Sequence, residues 1–78
     1  MVSIKVSNFD KSIARELSWC VGYLINDEGE RFATLDDLFE KVLTLTQLKH
    51  SIFANDPLWV EGAKNIVWVA ATTLGLTY

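Results

Sequence analysis

The 78-residue sequence has few of the residues that mark a disulfide scaffold, a secreted chain or a flexible polypeptide. Cys20 is the single cysteine, so no disulfide can form within the chain, which favours a reducing compartment such as the cytoplasm. One proline and four glycines are too few for a low-complexity segment. The longest apolar run, 66–76, is too short to span a bilayer, and the start does not read as a secretory signal. We therefore expect a cytoplasmic chain without membrane contact.

The sequence also lacks the motifs of enzymes, metal sites and nucleotide sites. Cys20 and His50 are the only thiol and the only imidazole in the sequence, so they cannot supply a four-ligand zinc site. No motif of a cysteine enzyme surrounds either residue. The acidic segment 26–30 lacks the residue order of a calcium loop, and the isolated glycines form no phosphate loop. We expect a non-enzymatic chain with no cofactor and no metal.

Positive charge is scarce and scattered, and the formal net charge is −3. Direct nucleic-acid binding is not expected, because the seven basic residues form no stripe that could contact phosphates. Six of the ten acids lie in one stretch, either as a solvated loop and helix start or as a surface for a basic partner. These residues are Asp27, Glu28, Glu30, Asp36, Asp37 and Glu40.

Hydrophobic residues make up 50% of the chain, which suits one small domain, residues 1–78, whose core must supply nearly all the stability. A first helix, capped by Ser7 or Asn8, is predicted to end near Asn26. A helical period of about 100° per residue places one apolar stripe on this helix. The stripe consists of Ile13, Ala14, Leu17, Cys20, Val21 and Leu24.

Two further helices have clear start signals. Thr34 with Asp37 three residues later forms a variant of the capping box, and this helix is predicted to run to about Phe53. Asp56 followed by Pro57 marks the start of the third helix. The stripe of the second helix consists of Leu35, Leu38, Phe39, Val42 and Leu45, and that of the third consists of Trp59, Ala63, Ile66, Val67, Ala70 and Leu74.

Together these segments predict a mostly α fold, a small three-helix bundle with a short extended N-terminal arm at residues 2–6. The alternative is an α+β fold, because residues 21–33 can be read as a β-hairpin around a turn. The unbroken stripe from Ile13 to Leu24 favours the helix. Asp27 and Glu28 at its C-terminal end argue against it, since that end favours cations.

Several large aromatic residues fall away from the predicted stripes. Trp19 lies nearly opposite the first stripe, beside Arg15 and one turn before Tyr23, while Trp68 shares a polar face with Lys64. Either the fold encloses these rings, or they form a contact patch, because Trp and Tyr are enriched at interface hot spots.

The contact reading predicts a non-enzymatic protein-binding module. It suggests a small phage-type or mobile-element inhibitor or adaptor that docks on a host protein through the aromatic patch, steered by the acidic stretch toward a basic surface. The alternative function is a structural, self-associating homodimer that uses the same aromatics.

Overall fold

A computed structural model describes residues 11–78, which form three α-helices. Helix α1 spans Lys11–Gly22 and continues into a π-helical turn, Tyr23–Asp27. Helix α2 spans Leu35–Thr46 and helix α3 spans Pro57–Thr73, and each helix packs against the other two. The predicted mostly α three-helix bundle is thereby confirmed. The predicted N-terminal arm and the caps at Ser7 and Asn8 lie outside the described residues.

The hairpin alternative for residues 21–33 is wrong, because this stretch contains the end of α1, the π turn and a loop. The Glu28 N–H donates to the Tyr23 carbonyl at 2.9 Å, and the Glu30 N–H donates to the Leu24 carbonyl at 3.0 Å. Backbone groups that a strand would pair across a ladder are satisfied locally. Gly29, with φ +67°, then takes a left-handed conformation in the loop. Asp27 and Glu28 are exposed, so solvent screens their repulsion from the helix end.

The starts of α2 and α3 follow the sequence signals. The Thr34 hydroxyl accepts a hydrogen bond from the Asp37 N–H at 3.2 Å. The Asp56 carboxylate accepts one from the Leu58 N–H at 3.0 Å, and Pro57 occupies the first helical position. Each cap satisfies an N–H that has no partner inside its helix.

Helix α3 ends in a Schellman motif centred on Gly75, which has φ +93°. The Leu76 N–H donates to the Ala71 carbonyl at 3.0 Å, and the Gly75 N–H donates to the Thr72 carbonyl at 2.9 Å. Glycine fits here because side chains disfavour the left-handed region.

Helix α2 is shorter than the sequence predicts. It ends at Thr46 instead of near Phe53, and Gln47 takes a left-handed conformation with φ +64°. Two 3₁₀ turns, Leu48–His50 and Ile52–Asn55, complete the connection to α3. The Thr46 hydroxyl donates to the Val42 carbonyl at 2.8 Å, a side-chain bond that competes with regular helix continuation.

The core lies between the three helices and draws on all of them. The residues predicted in the α1 stripe from Leu17 onward are buried, and Ile25 joins them because the π turn directs it inward beside Leu24. In α2, Leu43 is buried and Leu45 is exposed, which reverses the prediction for Leu45. The buried core consists of Leu17, Cys20, Val21, Leu24, Ile25, Leu38, Phe39, Val42, Leu43, Trp59, Ala63, Val67 and Ala71.

Candidate protein-contact surfaces

Trp19 and Tyr23 form an exposed, stacked pair on α1 and the π turn. Their ring centroids lie 5.4 Å apart with an interplanar angle of 11°. Trp19 is 66% exposed and Tyr23 is half-buried. The Tyr23 hydroxyl donates to Glu28 Oε2 at 3.0 Å, and this bond together with the Glu28 charge raises the pKa of Tyr23. The hydrogen bond and the stacking both restrict the orientation of the Tyr23 ring.

The other exposed tryptophan, Trp68, belongs to α3. It is 41% exposed and sits one turn after Lys64 on α3. The Lys64 ammonium pairs with the Asp36 carboxylate at the start of α2, so this face of α3 turns toward α2. The structure therefore stacks Trp19 on Tyr23, whereas Trp68 shares its side of α3 with Lys64.

An apolar groove separates α1 from α3, with a cavity volume of about 430 Å³. It is lined by Ser18, Gly22, Ile66, Val69, Ala70, Thr73 and Leu74. A Cβ added at Gly22 would meet no atom within 4 Å, so the α1 side of the groove is open. Sequence reasoning missed this groove. Its signals were the small residues Ser18 and Gly22 one turn apart, and Val69 outside the apolar stripe of α3.

Arg15 is exposed on α1, one turn before Trp19, and makes no ion pair within residues 11–78. At the other end of this helix Asp27 and Glu28 are exposed and Glu30 is half-buried. A basic group therefore precedes the aromatic pair along α1, and acids follow it.

The other acids belong to α2 and form a separate group. Asp36 and Asp37 lie in its first turn, where the helix dipole favours negative charge. Asp36 pairs with Lys64, and the Glu40 carboxylate lies 3.1 Å from the Lys49 ammonium. The acidic stretch predicted from the sequence is therefore two clusters, and lysines already partner two acids of the second.

Cys20 lies in the core, and burial raises the pKa of its thiol, with a further contribution from the negative charge of Glu16. The thiol therefore stays protonated at neutral pH and is not a ready nucleophile. His50 is exposed in the first 3₁₀ turn. Among the residues that the structure describes, no three potential ligands lie close enough together to hold a metal ion.

None of the helices within residues 11–78 combines the length and apolar character needed to cross a membrane. No protein-family model, curated protein or solved structure matches this chain.

Proposed function

We propose that this chain is a non-enzymatic protein-binding module whose contact surface is centred on the stacked Trp19–Tyr23 pair. The exposure of Trp19 is the observation that supports this most directly. Burying a solvent-exposed tryptophan ring is favourable because it removes a large apolar surface from water. A ring whose orientation is already restricted by a stacked neighbour loses little conformational entropy when a partner covers it. In this proposal the chain acts on a host protein as an inhibitor or adaptor, which is the role predicted from the sequence.

The charges near the pair indicate the chemistry of the partner. Asp27, Glu28 and Glu30 follow Tyr23 directly along the chain, and none of them forms an ion pair within the described part of the chain. These acids would attract a partner that has a basic surface next to an apolar pocket, and the pocket would then bury the Trp19 ring. A nucleic-acid partner is not part of the proposal, since this surface is acidic.

Capture of partners from a cell lysate tests the role of the pair. We compare wild type, Trp19→Ala and a matched control, Ile52→Ala, which removes an apolar side chain that is 80% exposed in the second 3₁₀ turn. We expect the control to retain the partner. We expect Trp19→Ala to bind about 30-fold more weakly, the effect of losing a hot spot worth about 2 kcal/mol.

Circular dichroism checks that Trp19→Ala remains folded, which its exposure predicts. Equal recovery of partners by Trp19→Ala and wild type would remove the aromatic pair from the contact surface. A parallel Trp68→Ala variant asks whether the second exposed indole contributes, because it belongs to α3 and the stacked pair belongs to α1 and the π turn.

A further inference from the structure

The outward face of α1 carries an ordered charge pattern. We define the α1 face as Lys11, Arg15, Ser18, Trp19 and Gly22, followed by the acids Asp27, Glu28 and Glu30. Its start carries Lys11 and Arg15, its middle is apolar or small, and its end is acidic. The exposed acid Glu16 lies two turns before Tyr23, to one side of this face. Neither Lys11 nor Arg15 forms an ion pair with another residue of 11–78.

Two copies of this charge pattern are complementary when they run in opposite directions. When two copies of a helix pack antiparallel about a two-fold axis, residues at equal distances from the axis face each other. Arg15 lies six residues before position 21, about 9 Å along α1. Asp27 lies six residues after it, at the end of the π turn, whose smaller rise per residue makes its distance slightly shorter. Trp19 and Gly22 lie close to position 21 on opposite sides. One axis near residue 21 therefore brings Arg15 opposite Asp27 and a large ring opposite a glycine.

The middle of the α1 face offers room for that ring. Gly22 borders the groove between α1 and α3, and no atom lies within 4 Å of the position where its Cβ would be. The lining residues Ile66, Val69 and Ala70 are apolar. The cavity of about 430 Å³ can receive an indole from outside.

We propose that a second copy of this chain covers the α1 face in an antiparallel, two-fold dimer. Trp19 of each chain lies against Gly22 of the partner subunit and enters the groove beside it. Arg15 of each chain faces Asp27 of the partner subunit. This inference rests on the proposed protein-binding role of the Trp19 surface and names the partner as another copy of the chain.

Sedimentation equilibrium of Gly22 variants tests the apolar middle of this interface. Gly22→Gln places a long neutral side chain in the groove, whereas Leu45→Gln places the same side chain at an exposed position of α2, outside the α1 face, and is the matched control. We expect wild type and Leu45→Gln to dimerise, and Gly22→Gln to dimerise at least about tenfold more weakly, because the groove is filled. Equal dimerisation of all three proteins would overturn the proposal.

A charge exchange tests the orientation of the two copies. Arg15→Glu puts like charges opposite each other in its own dimer, and Asp27→Arg does the same with positive charges. We expect each variant alone to dimerise at least about tenfold more weakly than wild type. Mixing the two restores opposite charges at both pairs, so the mixture is expected to form a 1:1 heterodimer. A mixture as dissociated as its components would overturn the antiparallel arrangement.

The outcomes separate this inference from the proposed function. A wild-type chain that stays monomeric up to about 1 mM overturns the dimer. If Trp19→Ala nevertheless loses lysate partners, the protein-binding role stands with a different protein as partner. If dimerisation and lysate capture are both insensitive to Trp19→Ala, both proposals fail.

Discussion

The three tryptophans show how far a single residue's place can be predicted from spacing. Trp59 is 1% exposed in the core, as its position in the α3 stripe predicted, whereas Trp19 and Trp68, for which the sequence left enclosed and exposed positions open, are exposed. Helical periodicity gives the direction of a side chain relative to its own helix. It gives no information on how neighbouring helices are rotated, so the placement of Trp68 relative to Trp19 could not be predicted.

Cys20 makes the stability of the fold sensitive to alkaline pH. Its thiol has a pKa raised above the ordinary 9.0, mainly by burial. The unfolded chain then loses this proton at lower pH than the folded chain, so the folded state binds more protons above about pH 9 and its stability falls as pH rises. We expect the urea midpoint of wild type to drop between about pH 8 and about pH 10, and that of Cys20→Ala to drop less.

Tyr23 contributes in the same direction at higher pH, because its pKa is raised above 10.0 by the bond to Glu28. A Tyr23→Phe variant separates this contribution from that of the thiol. An identical pH profile for wild type and Cys20→Ala would contradict the assignment to Cys20.

Glycines at two helix positions predict opposite effects of the same substitution. Gly22 has ordinary helical angles and open space around it, so Gly22→Ala is expected to raise the free energy of unfolding by up to about 1 kcal/mol. Gly75 has φ +93°, so Gly75→Ala is expected to lower it by about 1–2 kcal/mol. Urea denaturation of both variants under dimer-free, dilute conditions measures the difference. Changes of the same sign would contradict this account of the helix ends.

The beginnings of the helices were predictable and their endings less so. Thr34 and Asp56 mark the starts of α2 and α3, because their side chains accept hydrogen bonds from backbone N–H groups within the next three residues. This signal is local and can be read from the sequence. The end of α2 at Thr46 has no such signal, because Gln47 takes a left-handed conformation in which glycine is more usual. The π turn also has no sequence signature, and it explains why Ile25 is buried although it was left out of the predicted stripe.

At the scale of the whole molecule, all three helices share one core, so we expect one cooperative unfolding transition, as for other small domains. A Trp19→Phe/Trp68→Phe double variant leaves Trp59 as the single fluorescent indole, and it reports on the core. Its fluorescence change in urea is expected to coincide with the loss of helical ellipticity. Fluorescence that changes at a lower urea concentration than ellipticity would indicate that the three helices do not unfold together.

The fold class could be predicted because three amphipathic patterns with caps leave few other arrangements. The contact surfaces could be predicted only in part. Trp19 and Tyr23 belong to one helix, where spacing fixes their neighbourhood, and their stacking confirms it. The groove joins residues of α1 and α3 that lie more than 40 positions apart, and the sequence alone does not give the packing that brings them together.

The π turn at Tyr23–Asp27 contains one residue more than an α-helix would contain over the same axial rise. Asn26 and Asp27 within it are exposed, so the surplus residue lies on the solvent side of the turn. Chain length can therefore vary by one residue here more easily than within a buried helix, because a deletion would restore the α-helical form and require only Ile25 to repack. Relatives of this chain are expected to show insertions or deletions at this point sooner than within α3.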